Sequence, residues 1–345
     1  MSTPKRILVR LPTWVGDVVM ATPAIRAVAT ANPQAEIICE GRPVLRDLVE
    51  GLPGITGFVV EHGKRMRDLP LRVRMLREHH FDWALVLPDS HRSALGPWLA
   101  RIPVRVGYAN DVGRRLMLSQ SLPVPMENGK RLPVSMVDRY LKLSRLLGCP
   151  DDGEHTQVPV REENHANVRA MLLAQGMPPG TPYLSAVPGA SFGASKLWPA
   201  EHFAAAADAL YKSRGLPLVM APGPGEEPIA HAIAGAMSGP CHVLADPVIG
   251  LLNAAAMIAG SELCISNDTG PRHFAVAAGV PVVVPIGPTD SRHTDHQLET
   301  QRVLREPFDC APCGLKICPI DHRCMTQLLP ERIVQAAEEL LEAKA

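Results

Sequence analysis

What the chain lacks narrows the field. Aromatic residues supply only 4% of it, four Trp, four Tyr and six Phe among 345 residues. A surface that stacks nucleobases needs more than this, and no nucleic-acid-binding module is recognisable. No apolar run reaches the ~18–20 residues that span a bilayer. Basic residues and an early apolar run open the chain, but Gly16 and Asp17 interrupt them and no small-residue cleavage site follows. These features read as a soluble, cytoplasmic protein. Several chemical signatures are missing too: no G-x-x-x-x-G-K-[ST] loop, no G-x-G-x-x-G and no H-E-x-x-H. No D-x-D pair offers a metal bridge to a nucleotide diphosphate, and no close carboxylate pair suggests a glycoside hydrolase.

Net charge is absent as well, since 35 Lys+Arg balance 35 Asp+Glu, yet the two signs are not mixed evenly. Residues 1–150 hold 22 basic against 13 acidic residues, and residues 151–345 hold 13 against 22. Two domains that meet different partners explain such a division, with the basic half facing something anionic. At 46% apolar and 20% charged, the composition is that of a globular protein.

Short apolar runs alternate with helical spacing throughout. RILVRL, AEIICE, ITGFVV, DWALVLP and PVRVGY read as strands, with DVVMATPAIRAVATAN, PVLRDLVEGLPG, LPLRVRMLREHH and RSALGPWLARI as helices between them. A polar stretch from Cys149 to about Gly180, with one helix inside it, reads as a linker. PYLSAVPG, LPLVMAPG, ELCISND and VPVVVPIG are the strands of a second series, again separated by helices. The expected class is α/β: two doubly wound parallel-sheet domains, 1–160 and 161–330, facing a cleft, with a closing helix over 331–345. Ligands of such sheets bind beyond the carboxyl ends of the strands, so the loops after strands are the ones to read.

Four of these loops carry chemistry. In PTWVGD, Gly16 permits close approach and Asp17 stands where a helix start accepts a carboxylate, as an N-cap or as a base. In PGASFGASKLWP, small residues including Ser191 leave amides to face an anion, and Lys196 adds a mobile positive charge. In APGPGEEP, Glu226 or Glu227 can accept hydrogen bonds from ribose hydroxyls or a base. In SNDTGPRHFAVAAG, Asp268 and Thr269 end a strand, Gly270 turns and Pro271 suits a first helical turn. The amides of Thr269 and Gly270 should point outward with the positive end of the helix dipole, a diphosphate site to which His273 adds a donor.

Together these loops describe a diphosphate-bearing ligand held by the second domain, with a carboxylate of the first domain facing it. The segments ILVRLPTWVGDVVMATPAIRAV, PGASFGASKLWPAEHF and SNDTGPRHFAVAAGVPVVVPIGPTD resemble glycosyltransferase family nine, the ADP-heptose:lipopolysaccharide heptosyltransferases, and within it the heptosyltransferase II group. The resemblance covers nearly the whole chain. It implies a GT-B fold of two Rossmann-like domains and inverting transfer of heptose from ADP-heptose to inner-core lipopolysaccharide, with no required cofactor or catalytic metal. It implies Asp17 as general base, Lys196 on the donor's phosphates and Glu226 on the adenosine. Gly16, Ser191, Asp268, Thr269, Gly270 and His273 complete the donor site.

The basic half then acquires a use. Lys64, Arg65, Arg67, Arg72, Arg74 and Arg77, with Arg114 and Arg115 further on, would attract phosphorylated lipid A and the inner face of the inner membrane. Cys310, Cys313, Cys318 and Cys324 stand fifteen residues from first to last. In a reducing cytosol they form either a structural zinc site, with His322 as a substitute ligand, or free or disulfide-paired thiols. Two other functions stay open: a GT-B transferase with another nucleotide sugar or glycan acceptor, and a non-catalytic binder of nucleotide sugars or anionic lipids.

Overall fold

The computed structural model describes residues 3–61, 66–127 and 129–344. They divide into two compact units, Met1–Pro159 with Arg292–His296, and Val160–Ser291 with Gln297–Ala345. In the first unit the strands are β1 (Arg6–Arg10), β2 (Glu36–Gly41), β3 (Gly57–Val60), β4 (Trp83–Val86), β5 (Val104–Ala109) and β6 (Gln120–Pro123), with the short antiparallel pair β7 (Met126–Glu127) and β8 (Lys130–Arg131). Between and after them run α1 (Val15–Ala31), α2 (Leu69–Glu78), α3 (His91–Leu99), α4 (Val112–Met117) and α5 (Met136–Leu146). The sheet order is β3-β2-β1-β4-β5-β6, all parallel, with Ile7 level with Ile37 on one side and Trp83 on the other.

The second unit starts with α6 (Glu162–Ala174) and repeats the plan: β9 (Leu184–Val187), α7 (Ala200–Arg214), β10 (Leu218–Met220), α8 (Glu227–Ala236), β11 (Cys241–Val243), α9 (Leu251–Ala259), β12 (Leu263–Ser266), α10 (Arg272–Ala278), β13 (Val282–Pro285) and β14 (Gln301–Leu304). The short α11 (Arg323–Thr326) and the long α12 (Pro330–Lys344) complete it. Its order, β11-β10-β9-β12-β13-β14, is again fully parallel. Each sheet therefore reverses its winding between its first strand and its fourth, at β1/β4 and at β9/β12. In open sheets of this kind ligands bind at such points, beyond the strand ends.

Burial explains why the strands are so apolar. The central strands β4, β9, β12 and β13 are buried at every position, because helices cover both faces. In the second unit Phe203, Leu210, Ile233, Ile333 and Leu340, from α7, α8 and α12, join Leu184, Leu218, Leu263 and Val283 of the sheet in one core. The helix α12 thus packs as part of this unit.

Arginines contradict the simple picture of a basic surface. Arg72 is 2% exposed, and its guanidinium grips the fully buried Glu40 at 2.5 and 2.7 Å. Arg10 joins them, 3.5 Å from Glu40 and 2.6 Å from Glu61. Gly96 makes room for this pair, since a Cβ there would stand 2.9 Å from Arg72 Cζ. Arg114 is also fully buried, donating to the carbonyls of Tyr108, Pro88 and Ser90. Arg72 and Arg114 are therefore scaffold, not surface patch. Arg67, Arg74, Arg77 and Arg115 are exposed as expected, while Lys64 and Arg65 lie outside the described residues.

Candidate active site

In the first unit, β1 ends and α1 begins within five residues, at the winding reversal. The N-cap position of α1 is Trp14, which makes no side-chain cap bond, so Asp17 is not the cap. It lies in the first turn, half-buried, where its charge complements the helix dipole. The preceding Gly16 is buried. Tyr140 of α5 lies within electrostatic reach: burial, then the Asp17 carboxylate, push its phenol well above the ordinary value.

In the second unit the loops after β9, β10 and β12 meet. Asn267, fully buried at the end of β12, ties two of them together. Its side-chain amide donates to the Pro188 carbonyl at 2.6 Å, and its oxygen accepts from the Trp198 amide at 3.1 Å. The next residue, Asp268, is 8% exposed and holds three partners. Lys196 Nζ donates to Oδ2 at 2.6 Å and to the Asp268 carbonyl at 2.8 Å. Thr289 donates to Oδ2 at 2.6 Å, and Arg272 to Oδ1 at 2.8 Å. Burial alone would raise the Asp268 carboxyl, but Arg272 and Lys196 outweigh it and hold it well below the usual carboxylate range. Lys196 is thus not the freely mobile cation expected: its side chain is 12% exposed, ion-paired, and 5.1 Å from the Phe192 ring.

The turn after Asp268 differs from expectation in one respect. The Thr269 amide donates back to Asn267 at 2.8 Å, and those of Arg272 and His273 to Thr269 and Gly270, so these three do not face outward. Among the described residues the Gly270 amide has no backbone partner. His273 is 3% exposed, an interior side chain rather than an added donor at the surface.

Glu226 is brought against the β9 loop. Its Oε2 accepts from the Gly223 amide at 3.1 Å. A Cβ on Gly189 would stand 2.0 Å from its carboxyl carbon, so only glycine fits at position 189 while that carboxylate stays in place. Glu227 is the first residue of α8. Ser191 is exposed in the β9 loop. Gly189-Ala190-Ser191-Phe192-Gly193 spells G-x-S-x-G, but a turn and a 3-10 turn over Ala194–Lys196 follow it, not the helix of a nucleophile elbow.

The cysteine segment braces the Lys196 loop. The Ser195 amide donates to the Lys316 carbonyl at 3.0 Å, its hydroxyl to Leu315 at 2.5 Å, and the His322 ring lies 2.7 Å from the Ser195 carbonyl. The cysteines are all free, so none is disulfide-paired. Cys310 and Cys313 are exposed, whereas Cys324 is buried beneath Gly287. Burial, then Cys310, Cys318 and Cys313, push the Cys324 thiol up. Among the described residues no three His, Cys, Asp or Glu side chains are grouped to hold a metal ion, so nothing here supports the zinc alternative over free thiols. His322 is committed to the Ser195 carbonyl instead.

Sequence reasoning passed over Asn267, Arg272 and Thr289. A polar Asn at the end of an apolar strand, and an arginine on a seven-residue apolar helix, were the available signals.

Comparison with known proteins bears on the family and the fold. The family model "Glycosyltransferase family 9 (heptosyltransferase)" matches residues 72–323. Lipopolysaccharide heptosyltransferase 2 of Salmonella typhimurium is 28% identical over 312 residues, 87% of this chain and 88% of that protein. Lipooligosaccharide heptosyltransferase 2 of Campylobacter jejuni is 25% identical over 349 residues, 98% of both. The solved structure of E. coli ADP-heptose lps heptosyltransferase II superposes with a TM-score of 0.79 at 26% identity, covering 98% of this chain and 99% of that one. Its two parallel-sheet units, their order and this match together place the chain in glycosyltransferase family 9, the heptosyltransferase family.

Proposed function

We propose that this enzyme transfers heptose from ADP-heptose to the inner core of lipopolysaccharide, adding the second heptose with inversion at the anomeric carbon. The observation that carries the reading is the cluster at the β9/β12 reversal. There the Lys196 ammonium, the Gly270 amide, which has no backbone partner among the described residues, and the Glu226 carboxylate come from adjoining loops of one unit. A nucleoside diphosphate needs that combination, cations and amides for the phosphates and an acceptor for ribose hydroxyls. The names of the relatives support ADP-heptose as donor and lipopolysaccharide as acceptor.

In this mechanism Asp17 takes the proton of the acceptor hydroxyl as its oxygen attacks the anomeric carbon, on the face opposite ADP. The glycosidic bond forms as the bond to the diphosphate oxygen breaks, and the growing negative charge falls on ADP. Lys196, turning from Asp268 toward the phosphates, and the Gly270 amide stabilise that charge. The reading assigns this work to protein groups and asks for no catalytic metal, so turnover should survive EDTA.

Among the described residues no helix is long and apolar enough to cross a membrane. Peripheral contact at the cytoplasmic face of the inner membrane would use the linked helices α2, α3 and α4. They expose Leu71, Trp98, Val112 and Leu116 at 42–74%, beside Arg74, Arg77 and Arg115. Side chains of this mixture bind anionic interfaces.

One assay tests the proposal. The protein is incubated with ADP-heptose and either a heptose-free or a mono-heptosyl acceptor, and ADP release is followed. Release with the mono-heptosyl acceptor alone is expected. Release with the heptose-free acceptor overturns the second-heptose assignment, and release with neither overturns the transfer.

A further inference from the structure

We infer that Arg272 is a positioning residue for the donor diphosphate: it neutralises Asp268 and so leaves the Lys196 ammonium as net positive charge, without touching the ligand itself. The inference rests on the donor-site reading above.

Arg272 opens α10 with no exposed surface, so nothing in solution reaches its guanidinium. One arm donates to Asp268 Oδ1 at 2.8 Å and the other to Gln301 Oε1 at 3.1 Å, at the start of β14. The opposite oxygen of Asp268 takes Lys196 and Thr289. Asp268, the anion between them, touches two cations, so one offsets its carboxylate and the other is left over. Without Arg272 the remaining pair, Lys196 and Asp268, sums to zero, and the charge offered to a diphosphate is cancelled at 2.6 Å.

The same arrangement lets Lys196 be shared. When its ammonium turns toward a phosphate oxygen, Arg272 and Thr289 still satisfy both oxygens of Asp268, and no buried carboxylate is stranded. Burying an arginine completely is costly, and an apolar side chain of similar volume is often at least as stable. Retaining the charge here is therefore explained by what it does to its neighbour. The planar fork also matters, because it spans Asp268 and Gln301, which a lysine cannot do with one nitrogen.

Calorimetric titration with ADP and with adenosine tests this on the whole chain, comparing wild type, R272M, R272K, K196M and D268N/R272M. R272M should weaken ADP binding about tenfold to a hundredfold, the scale of one lost charged contact. Adenosine binding should stay within about twofold, and R272K should recover most of the ADP affinity. D268N/R272M removes the carboxylate together with its buried partner and strands no charge, so it should fold even if R272M does not, and should bind ADP more tightly than K196M. Parallel loss of adenosine and ADP would mark a merely structural arginine and overturn the inference. So would ADP binding by D268N/R272M that is no tighter than that of K196M. Wild-type binding of ADP with an unaffected R272M sinks this inference alone, whereas absence of ADP binding by the wild type sinks the donor-site reading with it.

Discussion

Replacing Gly189 by alanine should separate stability from donor recognition. The added Cβ would lie 2.0 Å from the Glu226 carboxyl carbon and from Oε2, where real contacts stay beyond 3.0 Å. The carboxylate must therefore retreat by about 1 Å, which opens the 3.1 Å bond from the Gly223 amide past hydrogen-bond range. The displaced atoms are the far end of a flexible, half-buried side chain, so no backbone has to move. The loss of one such bond costs about 0.5–1.5 kcal/mol, a drop of a few degrees in the thermal midpoint. If Glu226 holds the ribose, the donor loses a charge-assisted contact, and ADP affinity should fall roughly tenfold to a hundredfold. Gly193→Ala is the contrast. There the Cβ would stand 2.4 Å from the Lys316 carbonyl oxygen and 2.9 Å from its Cα, at φ +156°. Main chain cannot step aside cheaply, so both the midpoint and ADP affinity should fall. Calorimetry and thermal unfolding of the two variants decide the matter. A Gly189→Ala protein that binds ADP like wild type, or that melts as early as Gly193→Ala, would refute the reasoning.

Asp17→Ala should leave ADP affinity intact and lower turnover by roughly 10²–10⁴-fold, measured as ADP release; normal turnover rules out Asp17 as the base. Glu40→Gln strands the buried Arg72 and should cost about 3–5 kcal/mol in urea unfolding, while Glu36→Gln, on an exposed pair, should cost under about 1 kcal/mol. Asp268 has a folded-state pKa below its unfolded value of about 3.9, so its stabilisation is complete above that value and is lost as pH falls through the folded pKa. The Asp268→Asn penalty should accordingly be flat from about pH 8 to pH 5 and shrink only below about pH 4; shrinkage between 7 and 5 contradicts the assignment. Binding to vesicles containing anionic lipid should weaken as salt rises and blue-shift Trp98 fluorescence, and salt-independent association counts against the α2–α4 surface.

Much of the fold was legible because burial on both faces writes strands as plain apolar runs. The pieces missed were those where that rule lapses. β6, β11 and β14 are edge strands, short and half-buried, and QSLP, CHV and QRVL carry no continuous apolar signal. The segment holding α5 went unassigned although Val137, Tyr140, Leu141 and Ser144 fall on one helical face. The site was legible as a set of loops but not as a set of contacts. The positions of Lys196 and Asp268 announced chemistry, yet their ion pair joins residues 72 apart, and nothing local encodes that. Nor can composition tell a surface arginine from Arg72 or Arg114, because the partners that bury them, Glu40 and a ring of carbonyls, are supplied by other strands and loops.

The loop that carries Lys196 takes its shape from Leu315, Lys316 and His322, 120 or more positions further along the polypeptide. During synthesis the β9–α7 region leaves the ribosome long before those residues do. Lys196 can then be seated only after residues 315–322 have been made, so a product that stops before them lacks this brace even if both sheets have formed.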